Sequence, residues 1–263
     1  MTSTFHAVVL AGDRGPDDPV ARHVGAPCKA LVPVAGRPML LRVLDALAAS
    51  AAIDGVTLVG PQREQLAGCP ELAARLAAGT LEWLPPQPSP SQSASAALER
   101  LPVDQPVLLT TADHALLEPR WVDAFCAQAS ASGKDAVVGL ARHAAVQAAF
   151  PGSRRTALRF RDGAYCGCNL FAFLNRAGRR APAFWRHIEQ QRKKPHRLAA
   201  ALGVGTLLAY LCGRLTLSGG LERLSDKVDA RLGAVLLDDP RAAVDVDSVA
   251  DFDLVQAILA AGS

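Results

Sequence analysis

Val8-Val9-Leu10-Ala11-Gly12-Asp13-Arg14-Gly15, closed further on by Lys29-Ala30-Leu31-Val32-Pro33, is the stretch that decides how this chain is read. The apolar run from Phe5 to Leu10 predicts a buried first strand. It ends in a turn of small residues that opens a long polar loop closed by a lysine. Gly12 and Gly15 permit backbone conformations closed to other residues, and the successive N–H groups exposed at such a bend form a concavity for an anion. A phosphate chain is the expected guest, with Lys29 supplying a mobile cation and Arg14 a second one near the start of the loop. Neither G-x-x-x-x-G-K-[ST] nor G-x-G-x-x-G occurs in the chain, so ATPase and dinucleotide readings lose their main support.

The second half of the stretch carries a resemblance. Lys29-Ala30-Leu31-Val32-Pro33-Val34-Ala35-Gly36-Arg37-Pro38-Met39-Leu40 resembles K-[APG]-L-x-P-[VL]-x-G-[RK]-P-[ML]-[LI]. That pattern belongs to the nucleotide-binding segment of the sugar-phosphate and molybdenum-cofactor nucleotidyltransferases, the MobA-like NTP transferase superfamily. The first half departs from the common L-A-G-G-x-[GS]-x-R-[ML] form, because Gly12 is followed by Asp13 and by the acidic insert Asp17-Asp18. An acid beside triphosphate oxygens is unfavourable unless it points away or helps hold a metal, which leaves the role of Asp13 open. The resemblance implies nucleotide binding by Leu10, Ala11, Gly12, Asp13, Arg14, Gly15 and Lys29.

A chain of 263 residues, half of them apolar, can bury one substantial core. Its net charge of +3 is too small to argue nucleic-acid binding by itself. The six cysteines show no C-x-x-C pair and no His/Cys zinc spacing, and read as reduced thiols of a cytosolic protein. Met1-Thr2-Ser3-Thr4 lacks the basic flank and apolar core of a signal peptide, so a cytoplasmic location is expected.

Along the chain, short apolar runs alternate with helical patterns. Pro38 to Ser50 has helical spacing, Gly55 to Gly60 reads as a strand, Glu64 to Ala78 as a helix and Thr80 to Leu84 as a third strand. Repeated β-α-β predicts an α/β fold, a mostly parallel twisted central sheet with helices on both faces, whose ligands sit at the carboxyl ends of the strands. The resemblance adds a Rossmann-like nucleotidyltransferase arrangement in a single domain. It comprises a nucleotide-binding half over about 1–140, an acceptor-binding region over about 141–241, and a closing strand and helix over 242–263.

Pro85 to Ser95 is a rigid Pro/Ser segment ahead of an Ala-rich helix ending near Arg100, and Ser91 or Ser93 can cap that helix. By resemblance to cytidylyltransferases, Ser91, Ser93 and Ser95 are candidate base or ribose contacts; a plain loop with an N-cap is the other reading. The apolar strand Pro106 to Thr111 delivers Ala112-Asp113 to the crevice. The superfamily places the Asp that binds catalytic Mg²⁺ at this strand end, and Ala112-Asp113-His114 matches without the usual following proline. Mg²⁺ prefers few carboxylates plus water and substrate phosphates, so one acid suffices to begin a site. His114 reads as a turn cap.

Glu118 to Ser132 reads as a helix packed through Trp121, Val122, Phe125 and Ala129, and Asp135 to Leu140 as another strand. Between Arg142 and Tyr165 the regular pattern fails. Arg154, Arg155, Arg159 and Arg161 gather there around a hairpin turned at Asp162-Gly163. This follows the nucleotide half, where the superfamily binds its acceptor, so an anionic acceptor is expected on Arg154, Arg155 and Arg159. Asn169, in Gly167-Cys168-Asn169-Leu170-Phe171, resembles an acceptor-side position. Arg176 to Arg197 is a basic helical segment, and the apolar stretch Leu198 to Leu217 is too interrupted for a membrane span of roughly 20 residues. It is read as buried core, with peripheral contact to an anionic membrane or a partner subunit as the alternative.

In Val244-Asp245-Val246-Asp247, an extended backbone puts both valines on one face and both acids on the other. Ser248 then caps the last helix, with Asp251 reaching back. The run resembles the superfamily ending V-D-x-D-T-P-E-D-L, which implies Asp247 as a second metal ligand with Asp245 as its understudy. The resemblance as a whole implies a Mg²⁺-dependent nucleotidyltransferase, with Arg14, Lys29 and Asp113 catalytic. CTP is the favoured nucleoside triphosphate and the partner a small anionic phosphorylated acceptor, such as a lipid head-group precursor. A molybdopterin-type acceptor and a non-catalytic nucleotide sensor are the alternatives. A sugar transferase fits less well, because Asp113-His114-Ala115 lacks the second acid of a D-x-D motif.

Overall fold

A computed structural model describes residues 4–12, 17–191 and 203–261 of the chain. The first strand, β1 (Phe5–Leu10), leads through the loop to helix α1 (Pro19–Val24), then to a tiny hairpin of β2 (Pro33–Val34) and β3 (Arg37–Pro38). Helix α2 (Met39–Ala48) and strand β4 (Ile53–Val59) follow. Helices α3 (Arg63–Leu66) and α4 (Pro70–Ala77), strand β5 (Glu82–Leu84), helix α5 (Pro90–Arg100) and strand β6 (Val107–Thr111) follow in turn. Next come α6 (Pro119–Ala131), β7 (Ala136–Arg142), α7 (His143–Ala149), β8 (Leu158–Phe160), β9 (Gly163–Phe173) and α8 (Ala181–Gln191). Helices α9 (Val204–Leu211) and α10 (Leu217–Val228), strand β10 (Leu232–Leu236) and helix α11 (Val249–Ala261) close the chain.

The main sheet runs β10-β7-β9-β6-β1-β4-β5, with β8 paired to β9. Strands β6, β1, β4 and β5 are parallel to their neighbours, as are β10 and β7, while β9 runs antiparallel to β6, β7 and β8. The sheet is therefore mostly parallel, as the alternation of strands and helices predicts. Its first strand shows why a continuous apolar run was needed. Phe5, Ala7 and Val9 point into one apolar layer and Val8 and Leu10 into the other, so both faces of β1 are covered. Helix α2 fills the first layer with Met39, Leu40, Val43, Leu44 and Leu47, all buried.

The structure departs from the expected elements in five places. The closing strand expected from residue 242 is absent: Pro240–Ala243 form a 3₁₀ turn, and Val244 to Asp247 belong to no strand of the sheet. The helix expected over 64–78 is two, because Pro70 cannot donate into a continuing helix and starts a new one instead. A short helix, α7, stands inside the region expected to lack regular structure. Ser89, not Ser91 or Ser93, caps α5: its side chain accepts from the Gln92 N–H, and Pro90 occupies the first helical turn. The stretch expected as buried core is, where described, buried only at Leu215. Helix α9 buries no residue, and Val204, Leu208 and Leu211 are 61%, 56% and 69% exposed. The part of that stretch over 198–202, and the basic residues Arg192, Lys193, Lys194 and Arg197, lie outside the described residues. Among the described residues, no helix is long and apolar enough to cross a membrane.

Candidate active site

The carboxyl ends of β1, β4 and β6 meet at one edge of the sheet, held in step by bonds that run past the strands. Ala112 N–H donates to Leu10 O at 2.9 Å and Ala11 N–H to Val59 O at 2.9 Å. Gly60, just beyond β4, has a φ of +78°, and a Cβ there would sit 3.0 Å from the carbonyl oxygen of Ala11. Only glycine allows the second loop to press this closely on the first. Leu10, Ala11, Gly12 and Ala112 all lie at this edge, whereas Asp13, Arg14 and Gly15 fall outside the described residues.

Lys29, Asp113 and Asp247, read from three separate motifs, come together here. Lys29 opens a single 3₁₀ turn, Lys29–Leu31, and is buried. Its Nζ donates to Asp113 Oδ2 at 2.6 Å and to Asp247 Oδ1 at 2.8 Å, partners 84 and 218 positions away in sequence. Asp113 arrives at the end of β6. Asp247 is delivered because the backbone of the closing segment docks on that end, Val246 N–H donating to Asp113 O at 3.1 Å. Val244 and Val246 are fully buried, so the acids alternate to the opposite side, as the period of two predicts. Burial alone would push the Lys29 pKa down, but the charges and hydrogen bonds of Asp113 and Asp247 outweigh it, and the ammonium is held charged.

A second group of charges stands behind the first. Asp245 receives a hydrogen bond from Asn169 Nδ2 at 2.8 Å and an ion pair from Arg155, whose other nitrogen reaches Asp251 at 2.8 Å. The Arg155 side chain is only 7% exposed. Asn169 points this way because its backbone is left-handed, φ +49°, beside an irregularity in the β7–β9 pairing. Asparagine tolerates that conformation better than most residues. Burial and the neighbouring charges of Asp113 and Asp247 push the Asp245 carboxyl up, against the pull of Arg155 and Asn169. Asp251 also accepts from the Ser248 N–H at 2.9 Å and hydroxyl at 2.7 Å, while Ser248 Oγ accepts from the Asp251 N–H at 3.3 Å. The expected capping box at the start of α11 is therefore present.

The residues present fit a divalent cation. Asp113, Asp245, Asp247 and Asp251 face two cations, Lys29 and Arg155, so the cluster is acidic overall. The second oxygen of Asp113, Oδ1, is buried with no hydrogen-bond partner. A buried carboxylate oxygen without a donor is costly unless a cation reaches it. Among the described residues no three His, Cys, Asp or Glu side chains form a ready cage. Mg²⁺ characteristically uses one or two carboxylates and leaves its other positions to water and phosphate. His114 does not cap the turn. It is buried against Trp121, with ring centroids 6.3 Å apart, and burial lowers its pKa to about 4, so it is neutral.

The remaining candidates divide. Ser91 and Ser93 are buried in the first turns of α5 and already engaged: Ser93 Oγ accepts from Gln87 N–H at 3.0 Å, and Ser91 Oγ lies 3.0 Å from Ser89 Oγ. Ser95 donates to the Ser91 carbonyl at 3.0 Å. Arg154 and Arg159 are exposed, in contrast to Arg155. A cavity of about 520 Å³ lies elsewhere and is lined by Arg37, Arg42, Leu116, Arg241 and Ile258 among others; none of the site residues borders it. Sequence reading missed the pairing of Arg155 with Asp251 and the cap at Ser89. The Ser-Pro step before a helical run was a usable signal for the cap, but nothing local signals a pair 96 positions apart.

The sequence profile of the MobA-like NTP transferase domain matches residues 7–177, which contain Lys29 and Asp113. The chain belongs to the MobA-like NTP transferase family. It is a nucleotidyltransferase, with the three motifs of the family reading gathered on one buried ammonium. A solved structure described as a hypothetical transferase from Thermus thermophilus is 30% identical, with a TM-score of 0.77, over 95% of this chain and 99% of that one. More distant likenesses extend the fold of this NTP transferase to named synthetases. The CMP:2-keto-3-deoxy-manno-octonic acid synthetase complexed with CTP is 14% identical, TM-score 0.58, over 99% of this chain and 100% of that one. The 4-diphosphocytidyl-2C-methyl-D-erythritol synthase of Anaerococcus prevotii is 12% identical, TM-score 0.57, over 98% and 96%. No curated protein sequence matches the chain.

Proposed function

We propose that this protein is a Mg²⁺-dependent cytidylyltransferase that joins the nucleoside monophosphate of CTP to a small phosphorylated acceptor and releases pyrophosphate, with a lipid head-group precursor as the acceptor class. The observation that carries the reading is the Lys29 ammonium bonded to both Asp113 and Asp247 at the carboxyl end of the central strands. The serine segment that opens α5 and the two likenesses whose names contain a cytidine product support CTP over the other nucleotides.

In this reading an oxygen of the acceptor phosphate attacks the α-phosphorus of CTP, the bond from that phosphorus to the bridging oxygen breaks, and pyrophosphate departs with the electron pair. No general base is required, because the attacking phosphate is already ionised. The protein holds two polyanions in line and neutralises charge growing on the leaving oxygens. Lys29, kept charged by its acids, supplies that charge at the β- and γ-phosphates, and the motif assigns Arg14 the same role. Asp113 and Asp247 would hold Mg²⁺, whose contribution is Lewis-acid neutralisation of phosphate oxygens. Leu10, Ala11, Gly12 and Ala112 lie along the nucleotide in this reading, the motif assigns Asp13 and Gly15 to it as well, and Ser91, Ser93 and Ser95 mark its base and ribose side. Arg154 and Arg159 face the acceptor. Arg155 and Asn169 act through Asp245, holding the segment that carries Asp247.

Pyrophosphate release, measured with each of the four nucleoside triphosphates and Mg²⁺ against a panel of small phosphorylated acceptors, tests the proposal. Release confined to CTP and lost in Asp113→Ala supports it. Release confined to another nucleotide overturns the cytidylyl assignment. Thermal stabilisation by CTP without turnover on any acceptor favours a nucleotide-binding protein instead.

A further inference from the structure

We infer that the face formed by α9 and the β8–β9 turn is a docking surface for anionic lipid membrane, an inference independent of the nucleotidyl-transfer reading. Val204, Leu208 and Leu211 recur at intervals of four and three, which places them in one stripe along a helix, and all three are exposed. The opposite side of α9 is anchored. Tyr210 packs edge-on against Phe160 with centroids 5.7 Å apart, and its hydroxyl accepts from the Arg159 N–H at 3.3 Å. The stripe therefore points outward by construction. Leu158, 45% exposed on β8, adds a fourth apolar side chain beside it.

The charges around this stripe decide what covers it. Arg179 and Arg180 are engaged elsewhere: Arg179 donates to the carbonyls of Leu98, Leu101 and Gln105, and Arg180 pairs with Asp229. Arg214, just beyond α9, and Arg161, on the adjoining hairpin, are exposed. The acid of that hairpin, Asp162, accepts from the Leu217 N–H at 3.0 Å. On the start of α10, Glu222 is exposed along with Arg223. A helix with leucines outward and arginines at its borders matches a lipid surface, where apolar side chains enter the acyl boundary and cations meet anionic head groups.

A second copy of the chain suits this face poorly. A two-fold contact packs the same arginine-bordered patch against itself, and three side chains on two helical turns offer far less than the roughly 800 Å² per partner of a stable interface. A membrane needs neither self-complementarity nor a large flat area.

Flotation of the full-length protein with phosphatidylcholine vesicles, and with vesicles carrying about a third phosphatidylglycerol, tests the inference. Binding to the anionic vesicles is expected to exceed binding to neutral ones by about tenfold or more, and to weaken as salt is raised. The variant Leu208→Glu/Leu211→Glu is expected to lose the binding while keeping its melting temperature, because both side chains are already exposed. Equal binding to both vesicles, no binding to either, or undiminished binding by the variant overturns the inference. So does sedimentation showing a dimer that the variant dissociates, which would assign the stripe to a second copy.

Discussion

Two regions of this protein carry dense charge and use it in opposite ways. At the strand ends, Lys29 and Arg155 are drawn inside by carboxylates from distant parts of the chain, and each cation bridges two acids. Around α9 the arginines face outward and leucines share the surface with them. A buried charge must be matched at the atomic scale because unpaired ions in the interior are costly, so its partners define a geometry. A solvated charge needs no partner, so its surroundings define only a sign. The first region suits the polyanionic ligand proposed for it, the second the extended surface inferred for it.

The contrast breaks most visibly at the acids. Asp113→Asn is expected to lower pyrophosphate release by about 1,000-fold or more and Lys29→Met by about 100-fold, each read as kcat with saturating nucleotide. Arg159→Ala is expected to change KM for the acceptor with little effect on stability. If Asp113→Asn retains turnover, the strand-end cluster is structural and the catalytic assignment fails.

Arg155→Met sharpens the comparison on stability. It strands Asp245 and Asp251 in a half-buried site and is expected to cost about 3 kcal/mol in a urea unfolding experiment. A cost near that of a surface substitution would show that the second layer of charge is solvated after all.

Asp135 tests how far matched charge reaches beyond the site. It accepts from Arg231 Nη2 at 2.7 Å, from Arg231 N–H at 2.7 Å and from Asn175 Nδ2 at 2.8 Å, joining the starts of β7 and β10 to the end of β9. The Arg231 guanidinium leads in holding its carboxyl well below the ordinary value of 3.8, against burial and with help from Asn175. The unfolded chain therefore takes up the proton first. The stabilisation is fully present above about pH 5 and is lost as pH falls below 4 toward the folded value. Asp135→Asn is expected to flatten this acid limb in a series of melts across pH 2 to 6, and to lower the melting temperature at pH 7 by a few degrees.

The smallest effect belongs to the exposed stripe. Leu208→Ser is expected to alter stability by less than about 0.5 kcal/mol, since no core contact is lost. A large loss in chemical denaturation would mean that α9 packs as core.

What could be read without coordinates was whatever the local pattern carries alone. The continuous apolar run of β1, the helical spacing of α2, the alternation of Val244 to Asp247 and the capping box at Ser248 and Asp251 all stand as read. Each depends on neighbours within a turn or a strand, where backbone geometry dictates the period. Lys29, Asp113 and Asp247 were found one by one, through motif resemblance, and their meeting on one ammonium was decided by the sheet that brings β1, β6 and the closing segment to one edge. The same holds for Arg155, which joined the acceptor candidates by its neighbours in sequence and proves to be locked to Asp245 and Asp251. The most instructive departure is the leucine stretch around α9, read as core because leucines usually are. Hydrophobicity measures the tendency of a side chain to leave water, but which surface receives it is settled only by what the rest of the fold leaves uncovered.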